Sequence, residues 1–323
     1  MNLDNNNAKI YLLGLYREMM RIRCFELKAR ELCLGGMIRG STHFCVGQEA
    51  VPVGISSVLR PDDYVSSTHR GHGHFIAKGG QMRLMFAEML GRVTGYSKGK
   101  GGSMHMSDFA NGFLGTNGIV GGGLGISIGA AFALKYQGYD RIVVCFLGDG
   151  ALTQGLFHES LNIASLWSLP VLYVCENNQY AISLNINAAI SSGSAIKLAD
   201  NYKISAAKVD GNDVLQILEL ARSAVNHVRS GSGPFFIECD TYRWLGHSTN
   251  DPRNYRTRDE EETWKERCPI RHLENIIRKE YEAIDDELKL IHLQVQDEVE
   301  TAAKNALSDP EPDISDLLRL VYV

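Results

Sequence analysis

The stretch RIVVCFLGDGALTQGLFHESLNIASLWSLPVLYVCENNQY (141–180) holds two apolar runs, and each stops abruptly in polar residues. The first ends at Gly148-Asp149-Gly150 and the second at Glu176-Asn177-Asn178. Both runs are continuously apolar rather than alternating, the pattern of strands buried on both faces and hence of a parallel sheet. Residues 156–167 between them have helical spacing, so strand, crossover helix and strand make a right-handed βαβ unit. In an open parallel sheet ligands bind beyond the carboxyl ends of the strands. Asp149 and Asn178, 29 positions apart, both fall there.

Outward from this unit the pattern continues. A small-residue helix is expected over 126–136, with strands at 142–147 and 171–175. AAKVDG (206–211) and FFIECDTY (235–242) read as two more strands around a helix at 214–227. Upstream, helices are expected over 10–34, 49–59 and 81–91, and YVSST (64–68) reads as a strand running into the loop HRGHGH (69–74). The glycine-rich segment 95–125 reads as a long loop, and long loops in compact domains are usually functional. Residues 259–307 are charged and helical, most simply a solvated face. The expected fold is a three-layer α/β arrangement, a mostly parallel sheet flanked by helices. It forms one domain over 1–323, with an N-terminal helix at 10–34 and a C-terminal helical extension at 259–323.

The chain has 323 residues, 44% hydrophobic and 22% charged, with a net charge of −5, which excludes disordered and fibrous classes. No Lys/Arg block points to nucleic acid. Seven cysteines without a C-x-x-C pair fit buried thiols in a reducing compartment. The N-terminus lacks a signal-peptide layout, and the least polar stretch, 121–134, is too short to cross a bilayer. A soluble, cytoplasmic protein without membrane or nucleic-acid partners is expected.

An acid and an amide at two neighbouring strand ends are hard oxygen ligands suited to Mg²⁺ or Ca²⁺, and Mg²⁺ commonly completes its shell with substrate phosphates. The glycines around Asp149 permit close approach of backbone, and the following helix start offers N–H donors to an anion. A metal-bridged diphosphate accounts for all of this. Either half alone is more often a turn, since such residues dominate turns. Five fixed residues at this spacing recur by chance in on the order of one in 10⁴ chains of this size. Neither G-x-x-x-x-G-K-[ST] nor a strand-to-helix G-x-G-x-x-G is present, so a nucleotide is disfavoured. In HRGHGH, His69, His72 and His74 are a weak transition-metal candidate. Phosphate or substrate contacts beside Arg70, or plain loop histidines, suit them better. Glu49 reads as a residue suited to a helix start rather than as an acid/base.

GDG followed by 26 residues and NN resembles the thiamine-diphosphate fold motif. KGKGGSMHM (98–106), NGIVGGG (117–123), FHESLNIASLW (157–167), CENNQYAIS (175–183) and TYRWLGHSTNDPRNYRTRDE (241–260) resemble the alpha subunit of the thiamine-diphosphate-dependent first component of 2-oxo acid dehydrogenase complexes, of the pyruvate or acetoin dehydrogenase type. The likeness runs over nearly the whole chain. It implies that Asp149 and Asn178 hold Mg²⁺ by side chains and Tyr180 by its carbonyl. It also implies diphosphate contacts from Gly150 and Ala151 N–H groups and from Arg70 beside His69, and aminopyrimidine contacts from the Gly118 and Val120 backbone. His247 would stand on a loop ordering over the cofactor, with His43 at the mouth of the active site, both in catalytic positions. Ser248 matches a position phosphorylated in eukaryotic relatives. The resemblance implies a two-alpha, two-beta heterotetramer whose beta subunit supplies the acid that activates the cofactor, and a lipoyl domain of the second component as acyl acceptor. HSTNDPRNYRTRDE (247–260) resembles the pyruvate type, whereas His69-Arg70 and NGIVGGG resemble acetoin-cleaving relatives; no YGEEG of the branched-chain type occurs. Pyruvate is the reading taken, with acetoin as the alternative. A non-catalytic Mg-diphosphate-binding assembly subunit is the alternative from another class.

Overall fold

The computed structural model describes residues 5–317. Strands β1 (Tyr64–Ser66), β2 (Phe113–Gly115), β3 (Val143–Gly148) and β4 (Val171–Asn177) are followed by a small antiparallel hairpin of β5 (Tyr180–Ala181) and β6 (Leu184–Asn185), then by β7 (Ser205–Asp210) and β8 (Phe235–Asp240). Six of them form one sheet in the order β2-β1-β3-β4-β8-β7, with every neighbour parallel. The three-layer α/β expectation is met, and β3 and β4 are direct neighbours at its centre.

The continuous apolar runs split by parity, because successive side chains of a strand face opposite ways. Val144 and Phe146 of β3, with Leu172 and Val174 of β4, enter the core shared with helices Asn5–Leu34, Met82–Met89, Val214–Arg229 and Asp285–Leu307. Val143, Cys145 and Leu147, with Val171, Tyr173 and Cys175, enter the opposite core, under helices Gly122–Tyr136, Gly155–Leu166 and Ala195–Asp200. Each such side chain contributes about 1.5–3 kcal/mol by burial, so a charge at Val174 would break this layer. All seven cysteines are free, and Cys145 and Cys175 are buried as expected.

Several boundaries differ from expectation. The helix expected at 49–59 is Ala50–Ser56, with Glu49 at its N-cap as its reading as a helix-start residue expects; its buried carboxylate also forms an ion pair with Arg23. His72 and His74 lie on a short buried helix, His72–Ala77, not on a loop. The long loop contains edge strand β2, whose three residues between glycines carry no periodic signal. Its last glycines begin the helix Gly122–Tyr136, where a side chain at Gly123 would come within 2.8 Å of Ser66 Oγ. The N-terminal helix extends to Asn5 among the described residues. The C-terminal extension is three helices, Arg258–Glu266, Pro269–Glu280 and Asp285–Leu307, then a turn at Ile314–Leu317; residues 318–323 of that expectation lie outside the described residues. It is not only a solvated face, because Leu288, Val295, Val299 and Ala303 are buried in the core. No described helix is long and apolar enough to cross a membrane.

Candidate active site

The carboxyl ends of β1, β3, β4 and β8 open into one cleft of about 260 Å³. Beyond β3 the chain tightens into a 3-10 turn, Asp149–Thr153, before helix Gly155–Leu166. Gly150 lets this turn meet the hairpin that follows β4: a Cβ there would stand 2.9 Å from the Ala181 Cβ. Beyond β4 the two asparagines part company. Asn177 Nδ2 donates to Glu238 at 2.7 Å, whereas Asn178 Nδ2 donates to Gln48 Oε1 at 3.2 Å. Among the described residues Asn178 Oδ1 is buried without a partner, and so is Asp149 Oδ2. Burial pushes the Asp149 carboxyl up to about 6. Keeping it ionised at neutral pH therefore costs folding free energy, which a cation at this position would offset. Two orphaned hard oxygens on adjacent strand ends are a donor set that fits Mg²⁺.

The other side of the cleft is cationic. Buried Arg70 donates to the Phe44 carbonyl at 2.7 Å and the His247 carbonyl at 3.3 Å, and burial lowers its pKa to about 10. Arg243 donates to the Tyr180 and Ile182 carbonyls at 3.1 and 2.8 Å and to the Tyr255 hydroxyl at 2.7 Å, leaving its Nε buried and unpartnered. Their donors go to neutral oxygens instead of carboxylates. A buried cation without a counter-charge is costly, so the pair fits a bound anion such as a diphosphate. Burial, reinforced by Arg70, lowers the pKa of His43 to about 4, of His247 to about 3 and of His69 to about 2. All three imidazoles are neutral at physiological pH. Their rings meet with centroids 4.6–5.5 Å apart, and His43 Nδ1 lies 2.6 Å from the His247 carbonyl.

His69, Arg70, Val120, Asp149, Gly150, Ala151, Asn178, Tyr180 and His247 all line the cleft. His43 is not among the lining residues but meets the rings of His69 and His247 and the His247 carbonyl, and Gly118 stands apart, beside His105. His72 and His74 do not line it. Burial obliges them to find internal partners: Glu26 and Ser103 for His72, Ser67 and Glu176 for His74. Sequence reasoning missed Arg243, although an arginine directly after an apolar strand was a signal. It also missed Gln48, for which no signal existed.

Among known proteins, the dehydrogenase E1 component family matches residues 17–315. The pyruvate dehydrogenase E1 component subunit alpha of Rhizobium meliloti is 44% identical over 306 residues, covering 94% of this chain and 88% of that one. The subunit alpha of the acetoin:2,6-dichlorophenolindophenol oxidoreductase of Bacillus subtilis is 43% identical over 312 residues, covering 96% and 93%. The human somatic mitochondrial pyruvate dehydrogenase E1 component subunit alpha is 41% identical over 312 residues, covering 96% and 79%.

Proposed function

The chain belongs to the dehydrogenase E1 component family, and on that footing we propose that its cleft holds thiamine diphosphate through Mg²⁺ as the alpha subunit of a 2-oxo acid dehydrogenase. Asp149 Oδ2, Asn178 Oδ1 and the Tyr180 carbonyl would bind the metal. Gly150 and Ala151 N–H groups, with Arg70, would bind the diphosphate, and the backbone at Val120 and Gly118 the pyrimidine half. The two unpartnered oxygens at the ends of β3 and β4 carry this reading. When bound, the cofactor supplies a carbanion nucleophile and an electron sink. The neutral imidazoles of His43 and His247 can each donate one N–H and accept at the other nitrogen, which suits them to orient a carbonyl substrate and pass protons at the mouth. The described chain, from the N-terminal helix to the C-terminal extension, packs around one sheet, which supports a single domain.

The substrate proposed is pyruvate, with the acetyl group passed to a lipoyl arm. Acetoin is the second reading, because relatives named for each stand at 44% and 43% identity. A beta subunit is proposed as partner, in a two-alpha, two-beta assembly. Ile126, Phe132 and Tyr136 on helix Gly122–Tyr136, with Leu166 and Trp167, leave an apolar surface exposed of the kind that partners cover. Calorimetric titration with thiamine diphosphate, with and without Mg²⁺, tests the cofactor: binding that ignores Mg²⁺ would overturn it. Assays of the co-purified alpha and beta chains on pyruvate and acetoin separate the substrates, and full activity of this chain alone would refute the assembly.

A further inference from the structure

The three imidazoles at the mouth share a property that oxygen chemistry does not use. His43, His69 and His247 each offer a ring nitrogen, and those nitrogens all lie within 4.8 Å of one another. Each residue comes from a different part of the chain: before helix Ala50–Ser56, after β1 and after β8. His43 Nδ1 faces the His247 carbonyl at 2.6 Å and so carries the proton, which leaves the Nε2 lone pair free. Metal-binding histidines are oriented in this way, with the second nitrogen donating to a backbone carbonyl. His247 Nδ1 is buried and has no hydrogen-bond partner among the described residues.

We propose that His43, His69 and His247 form a second metal site, selective for a borderline-soft divalent ion such as Zn²⁺, whose occupation closes the mouth of the cleft. Imidazole nitrogens favour zinc, whereas the oxygens of Asp149 and Asn178 favour magnesium, so the two ions sort by ligand chemistry. A tetrahedral zinc with bonds of about 2.0–2.1 Å draws its nitrogens to about 3.4 Å apart. The rings must therefore close by about 1.4 Å, which small changes in χ1 and χ2 provide. The fourth position faces the cleft and takes water or an anion. Arg70 and Arg243 stand close and oppose a dication, so the site is expected to bind zinc in the micromolar range rather than as a permanent structural ion. The site uses none of the oxygen ligands, but His43 and His247 are the imidazoles proposed to meet the substrate, so zinc and substrate would compete for them.

The test uses the full-length, tag-free chain with excess Mg²⁺, titrated with zinc chloride against a chromophoric chelator. One equivalent is expected to bind, with affinity falling about 100-fold in His69→Tyr and in His43→Gln. Asp149→Ala should keep zinc affinity within about threefold while losing Mg²⁺-dependent thiamine-diphosphate binding. Cobalt titration should show the intense visible bands of four-coordinate Co²⁺ in the wild type and lose them in His69→Tyr, with unchanged circular dichroism confirming the fold. Zinc bound equally tightly by wild type, His69→Tyr and His43→Gln would overturn the proposal. Loss of zinc in the histidine variants with cofactor binding that ignores Mg²⁺ would instead sustain this site and sink the magnesium reading.

Discussion

Two glycine-rich turns in this molecule look alike and behave oppositely. Around Gly99–Gly102 the backbone folds into a ring of N–H groups, and Glu88 fills it. Its carboxylate accepts from Ser97 N at 2.7 Å, Gly99 N at 2.9 Å, Gly101 N at 2.7 Å and Gly102 N at 3.0 Å. Gly99 is at φ +74, and a Cβ there would strike the Gly91 backbone at 2.4 Å, so only glycine permits the ring. Around Gly148–Ala151 the chain again approaches closely, but the carboxylate belongs to the turn itself, and one of its oxygens is left over. The first turn is an anion cradle that carries its own anion. The second leaves a carboxylate oxygen unsatisfied among the described residues, which is what supports the proposal that it takes a cation. Glycine density does not distinguish a binding turn from a structural one; the unsatisfied polar atoms do.

This contrast can be broken from either side. Glu88→Ala removes the anion from the closed ring and strands four donors, so a loss of about 3–5 kcal/mol is expected in urea unfolding. Asp149→Ala acts on the open turn and should leave or raise the stability of the cofactor-free chain, since it removes an uncompensated buried carboxylate. It should cost cofactor affinity at least about 100-fold, about 2.7 kcal/mol, read by calorimetry; chelating Mg²⁺ from the wild type should mimic it. Gln48→Leu removes the acceptor that orients the Asn178 amide, and the Mg²⁺ concentration needed for half-maximal cofactor binding should rise about tenfold. Gly150→Ala drives a methyl group against Ala181, and about 1 kcal/mol of stability should be lost, read as a lower Tm.

Much of the sheet was legible because its signal is local. Residues 142–147 and 171–175 were continuous apolar runs, and they became β3 and β4 with one or two residues added at the polar ends. Those added residues, Gly148, Glu176 and Asn177, lack apolar character and join only because the neighbouring strand supplies hydrogen bonds. β2 was illegible for the same reason: Phe113-Leu-Gly115 is a strand only because β1 lies beside it. Asp149 and Asn178, the pair proposed to hold a metal, could be singled out from their spacing, whereas Arg243 and Gln48 reach the cleft through folding alone.

By itself the sequence determined that two core strands end in an acid and an amide, that a crossover helix makes those strands parallel, and that backbone can approach closely between them. These follow from side-chain period and glycine content, which are properties of neighbours in the chain. Only the tertiary structure decided which oxygens remain unsatisfied, that Asn177 is tied to Glu238 while Asn178 is free to face the cleft, and that three histidines from three segments share one mouth. Hydrogen-bond satisfaction and charge compensation are settled between residues far apart in the chain, so no local pattern records them.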